Sequence, residues 1–168
     1  DSLHGIPINP DDPDELPFLE SEQDRIDIAG KFNNPLLPGI ETVALQVGYN
    51  DYTHTEFESV GEAGTVFDNE QFDTRIELKH VKLGRFDGVI GTQFGYKNLS
   101  AVGEEAFLPK TKTENIAVFI LEETDITDSV HLDIGGRFDH ESNDPSNASE
   151  ITNDMYSISS GLAWDVNE

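Results

Sequence analysis

The chain has 168 residues, enough for one domain with a substantial core. Its 34 Asp and Glu against 10 Lys and Arg give a net charge of -24, which excludes the basic footprint of a nucleic-acid binder. The absence of cysteine excludes thiol catalysis, Cys-ligated zinc and a disulfide framework.

Residues 1–22 hold Pro7, Pro10, Pro13 and Pro17 together with seven acids and no base, and read as an irregular exposed loop. Residues 25–33 then alternate, with Ile26, Ile28 and Phe32 on one face and Arg25, Asp27 and Lys31 on the other. After a turn at residues 34–39, residues 42–52 set Val43, Leu45, Val47 and Tyr49 against Gln46, Gly48 and Asn50. Residues 73–83 oppose Thr74, Ile76 and Leu78 to Arg75, Glu77 and Lys79. A tight turn at residues 84–88 leads to residues 89–98, where Ile90, Thr92, Phe94 and Tyr96 oppose Gly91, Gln93, Gly95 and Lys97. Residues 114–123 are apolar on both faces; Ala117, Phe119 and Leu121 are assigned here to the outward face. In residues 130–139, Val130, Leu132, Ile134 and Phe138 face away from His131, Asp133, Arg137 and Asp139. Residues 156–165 set Tyr156, Ile158, Leu162 and Trp164 against Ser157, Ser159, Gly161 and Asp165.

Period-two alternation makes each of these runs a strand with one apolar face. The links at 33–41, 82–87 and 124–129 are short, whereas those at 1–22, 53–71, 98–113 and 140–153 are long. Short turns on one edge and long loops on the other are how an outer-membrane barrel is built. Runs of ~10 residues match a tilted membrane strand rather than the ~5–6 residues of most soluble strands. The mean hydropathy of -0.45 is too polar for a helical membrane protein but fits a barrel, in which only alternate residues need be apolar. No run approaches the ~18 apolar residues of a membrane helix. Tyr49, Tyr52, Phe94, Tyr96, Phe138, Tyr156 and Trp164 fall near strand ends, as interfacial girdles do. The expected fold is all-β: an antiparallel transmembrane β-barrel segment of about seven long strands. Residues 1–23 form an acidic, Pro-rich extracellular loop and residues 24–168 the strands and loops of a larger barrel. The abrupt start within a loop reads as an internal piece of a longer protein.

Several segments resemble a group of TonB-dependent outer-membrane receptors. Residues 98–111, NLSAVGEEAFLPKT, resemble that group's A-x-G-x-E-A-F-L-P-x-T segment, preceded at the right distance by Gly91-Thr92-Gln93-Phe94. Thr74 to His80 followed by Leu83-Gly84-Arg85 resembles its R-x-E-L-x-H … G hairpin. Gly135-Gly136-Arg137-Phe138-Asp139 is similar to its G-x-R-[YF]-[DE] strand, and Tyr49 to His54 to its Y-N-D-Y-x-H strand end. The resemblance spans residues 24–166. It implies a 22-stranded barrel closed by an N-terminal plug and energised by an inner-membrane TonB complex, which acts through a plug this chain does not contain. It also implies outer-membrane lipid as surroundings, and a metal ion or metal chelate as cargo: zinc first, then haem or a siderophore. Zinc receptors of the group carry a His-rich insertion where this chain has an acid-rich stretch containing only His4.

No cofactor is implied beyond such zinc or iron-chelate cargo. The candidate metal ligands are His54 with Glu56 and His140 with Glu141 at loop-side strand ends, then His4, Asp11 and Asp12 in the first loop. Imidazole with carboxylate suits Zn²⁺, and clustered carboxylates suit Ca²⁺. The bland alternative is solvated polar surface. No nucleophile elbow, P-loop or dinucleotide fingerprint is present, so an enzyme is not expected. The competing reading is a soluble all-β module using acidic loops for calcium or carbohydrate.

Overall fold

The computed structural model describes residues 17–59, 61–103, 106 and 108–166. Seven strands follow one another: β1 (Phe18–Asn33), β2 (Ile40–Ser59), β3 (Glu62–His80), β4 (Phe86–Gly103), β5 (Thr111–Thr127), β6 (Val130–Pro145) and β7 (Ile151–Trp164). They form one sheet in sequence order, each antiparallel to the next, and the sheet is not closed. The all-β antiparallel reading is therefore correct. There is no second layer among the described residues, and Ala117 is the one buried apolar side chain there.

The alternation of the sequence dictates the two faces. Strands at ~4.8 Å spacing place opposite residues side by side, so each rung of the ladder shares a face. One rung runs Ile26, Tyr49, Phe72, Tyr96. Two residues down each strand lie Ile28, Val47, Thr74, Phe94 and Ile116. Further down lies Phe32, Val43, Leu78, Ile90, Ile120, Gly136, Ile158. These rungs make a continuous apolar band, whose large side chains are exposed or half-buried.

The band does not follow the rungs. Its upper limit is Ile26, Tyr49, Phe72 and Tyr96 on β1–β4, but Ile116 on β5 and the facing pair Phe138 and Tyr156 on β6 and β7. Its lower limit falls from Phe32 and Val43 to Val130 and Trp164. An apolar belt that crosses the ladder diagonally is what tilted strands present to a flat slab. Above it on the same face the side chains turn acidic: Asp24, Asp51 and Glu70 share one rung, and Glu22 and Asp68 the next with Thr53 between them.

Two expectations need correction. The stretches 53–71 and 140–153 are largely strand, as are parts of 98–113, and β1 begins at Phe18, inside the stretch 1–23 read as loop. Strands run 14 to 20 residues. These extensions lack a regular alternation of apolar and polar residues, because a strand beyond the slab needs no apolar face; its ladder hydrogen bonds suffice. The girdle aromatics accordingly sit at the band's limits, except Phe94, one rung inside it, and Tyr52, which lies on the opposite face. The second correction is β5. Ile116, Val118 and Ile120 share the apolar face, while Ala117, Phe119 and Leu121 share the polar one.

At the short-turn edge, His80 of β3 and Glu122 of β5 meet across β4. His80 Nε2 lies 3.1 Å from Glu122 Oε1, and His80 Nδ1 lies 2.8 Å from the Val81 carbonyl oxygen. Gly88, opposite Glu122, leaves the room for this: a Cβ there would lie 2.3 Å from the Leu121 carbonyl oxygen and 2.7 Å from Glu122 Oε2. Gly88→Leu is expected to cost about 1–3 kcal/mol of stability by overpacking. Leucine at Gly30, where only the Phe32 ring comes near, is expected to cost less. Chemical denaturation of the two variants side by side measures the difference.

Candidate functional site

The polar face is built from the alternate residues of the same strands. Three of them repeat one device, an arginine followed two residues later by an acid, so that period two puts both on this face. Arg25 Nε donates to Asp27 at 2.6 Å on β1. Arg75 Nε donates to Glu77 at 2.7 Å on β3. Arg137 makes two bonds to Asp139 on β6, at 2.8 and 2.6 Å. Pairing in this way offsets the charge of each guanidinium, and forked bonds fix the planes of Arg25 and Arg137.

Between the second and third pairs lies a small assembly. Gln93 Oε1 on β4 accepts from Arg75 Nη1 and from Arg137 Nη1, each at 3.4 Å. Under both guanidiniums lies Phe119 of β5, its centroid 4.1 Å from Arg75 Cζ and 5.9 Å from Arg137 Cζ. The ring lies over Gly91, directly opposite on β4, where a Cβ would fall 2.1 Å from Phe119 Cζ. This accounts for the orientation of β5: a large ring covers a glycine and meets two cations on the polar face, which an aliphatic face could not offer. A shallow cavity of about 550 Å³ adjoins this assembly over β1–β4, with Arg25, Asp27, Gln71, Asp73, Arg75 and Gln93 among its lining.

Towards the long-connection edge, His54 also points to this face. Its ring stacks on Phe67, opposite it on β3, with centroids 4.5 Å apart and planes 18° apart. Tyr52 lies 5.5 Å away, and Glu56 Oε1 is 3.9 Å from His54 Nε2. His54 Nδ1 is buried without a hydrogen-bond partner among the described residues. The structure thus brings His54 and Glu56 to one spot.

It does not add the second expected pair. His140 points to the apolar face, where its Nδ1 lies 2.7 Å from Asp154 Oδ1. Glu141, the next residue, points to the polar face and accepts from Asn143 at 2.8 Å. Four strand steps separate β2 from β6, roughly 19 Å at ~4.8 Å per strand. His4, Asp11 and Asp12 lie outside the described residues. Among the described residues no group of three or more His, Asp or Glu side chains is placed to hold a metal ion. His131 shares the polar face with Asp133 and Arg137, as the alternation assigns it, and its ring nitrogens lie against Asp125 at 2.6 Å and Asp165 at 3.3 Å.

The Arg75–Gln93–Arg137–Phe119 assembly was not singled out from sequence. Arg75 and Arg137 were placed on this face, but their meeting over Phe119 depends on register. A double-mutant cycle of Phe119→Ala with Arg75→Met, read by chemical denaturation, is expected to give a coupling of about 0.5–2 kcal/mol. Zero coupling would mean that ring and guanidinium are mere neighbours.

The sequence matches the family described as TonB dependent receptor-like, beta-barrel over residues 5–168, and the chain belongs to that family.

Proposed function

We propose that this member of the TonB-dependent receptor barrel family forms part of the wall of an outer-membrane transporter that imports a metal ion or metal chelate. The family's proteins are outer-membrane transporters rather than enzymes. The observation that carries the reading for this chain is the division of one open sheet into an apolar band and a self-paired polar face. A soluble sandwich would cover that band with a second sheet. In a barrel, lipid covers it and the polar face lines a wet interior.

On this reading the polar face surrounds a plug supplied by the rest of the receptor, and the plug passes the pull of the TonB complex. The long-connection edge, carrying His54, Glu56, Tyr52 and Phe67, faces the outside and meets the cargo first. Residues 1–23 would belong to that outer surface. Zinc is the favoured cargo, because His54 Nδ1 has no hydrogen-bond partner among the described residues and Glu56 Oε1 lies 3.9 Å from the ring's other nitrogen, Nε2. Haem or a siderophore is the second choice, with the Tyr52, His54 and Phe67 rings as a stacking surface.

Two measurements test these statements separately. For the membrane reading, Val118→Arg in mid-band is expected to destabilise the complete receptor by about 2–4 kcal/mol in lipid vesicles. Ser157→Arg on the polar face is expected to change stability by no more than about 0.5 kcal/mol. Equal effects would contradict the assignment of faces. For the cargo, calorimetry of the detergent-folded receptor with Zn²⁺ is expected to show binding that His54→Ala abolishes and His140→Ala leaves intact. No Zn²⁺ binding to the wild type would shift the cargo to a chelate.

A further inference from the structure

Both ring nitrogens of His80 face oxygen acceptors. Nδ1 lies 2.8 Å from the Val81 carbonyl oxygen, and Nε2 lies 3.1 and 3.3 Å from the two carboxylate oxygens of Glu122. A neutral imidazole carries one proton on nitrogen, and a carboxylate brings none. Two such contacts need two protons, one more than a neutral histidine beside a carboxylate holds. The side chains of His80 and Glu122 are only 8% and 23% exposed, so water is a poor substitute partner. The pair lies one rung past Leu78, Ile90 and Ile120, beyond the apolar band. It is also tied to both neighbouring short turns. The Val81 amide donates to the Gly39 carbonyl oxygen at 2.9 Å, and Leu83 and Phe86 bond each other at 2.9 and 3.1 Å.

We propose that His80 is a proton-operated clasp: as the imidazolium it fastens the Val81 peptide, and with it the β2–β3 and β3–β4 turns, to β5, and on losing a proton it lets go. Neutral His80 has one donor, so either the Val81 carbonyl or the Glu122 carboxylate is left facing a lone pair. Other charges on the flanking strands are Asp87 of β4 and Glu41 of β2, which lie 3.3 and 3.5 Å from Lys79 Nζ; Lys82 and Arg85 lie in the turn. Glu122 is therefore the ring's own counter-charge. The Val81 bond first, then Glu122 and Asp87, hold the imidazole above its ordinary value of about 6.5, against the opposing effect of burial. A group raised on folding stabilises while it is protonated. The clasp is thus complete below about pH 6.5 and is lost as the pH rises through the raised value of His80. Its placement at the periplasmic edge rests on the barrel reading above, whereas its protonation does not. His131 makes a comparable double contact, but 42% of its side chain is exposed and water replaces what it loses.

The test uses the complete receptor in detergent micelles with ¹⁵N-labelled histidine. Difference spectra between wild type and His80→Gln assign the ring, and its nitrogen shifts report its protons. The expected titration midpoint of His80 lies above about 6.5 in wild type and falls in Glu122→Gln. Hydrogen exchange of residues 81–86, corrected for the intrinsic pH dependence of exchange, reads the clasp itself. It is expected to be about fivefold faster at about pH 8.5 than at about pH 5.5 in wild type, and equal at both in His80→Gln. Heat-modifiable electrophoretic migration checks each variant for a folded barrel, and the exchange contrast in wild type needs no variant. A His80 midpoint at or below about 6.5, or one unmoved in folded Glu122→Gln, would overturn the proposal. Equal corrected exchange at both pH values in wild type would overturn it as well, as would the same contrast persisting in folded His80→Gln.

Discussion

A strand inside a bilayer has no water to satisfy its backbone, so each N–H and C=O must find a partner in the sheet. This constraint organises the molecule. The ladder runs from β1 to β7 without a crossover, and its irregularities fall at or beyond the limits of the apolar band. Register shifts occur at Ile40/Thr42, at Glu56 to Ser59 and at Asp125/Thr127. On β2 the band covers Val43 to Tyr49, and on β5 it covers Ile116 to Ile120, where pairing continues residue by residue. The two free edges, β1 and β7, are the places where the same constraint demands more strands.

The polar face answers to a different requirement. It has to be wet yet not adhesive, since a lumen wall that held unpaired charges would grip whatever passes or moves inside. Arg25, Arg75 and Arg137 each have an acid two residues on along the same strand. Gln93 and Phe119 tie the last two together without adding charge. The result is three fixed dipoles on one face, beside which Asp73 and the facing pair Glu123 and Asp133 have no salt bridge among the described residues. The acids without such partners concentrate higher up, beyond the band, in keeping with the net charge of -24.

Much of this was legible in the residues, and the failures have a common cause. Alternation assigned the faces of six strands because their apolar and polar positions differ in kind, as Ile90 and Gln93 do. It failed on β5, where both parities are apolar. There the decision belongs to neighbours across the ladder, Gly91 and the two arginines, and a single sequence does not print its register. The loop extents failed for the opposite reason: residues 53–59 and 62–71 carry few apolar side chains (Phe57, Ala63, Val66 and Phe67) and no alternation, so no pattern announced that they pair. His140 and Glu141 were taken together as neighbours in sequence, although in any strand consecutive residues point apart. His54 and Glu56, two apart, do share a face.

The central claim is that the odd and even residues of β5 face different solvents. Single cysteines can be introduced at Ile116, Ala117, Val118, Phe119, Ile120 and Leu121, in a chain that has none of its own. They would be spin-labelled in the complete receptor reconstituted in bilayers, and their collisions with oxygen and with a water-soluble nickel chelate compared. The structure leads us to expect oxygen exposure at 116, 118 and 120 and its loss at 117, 119 and 121. The reverse order, or nickel accessibility at all six positions, would contradict the account.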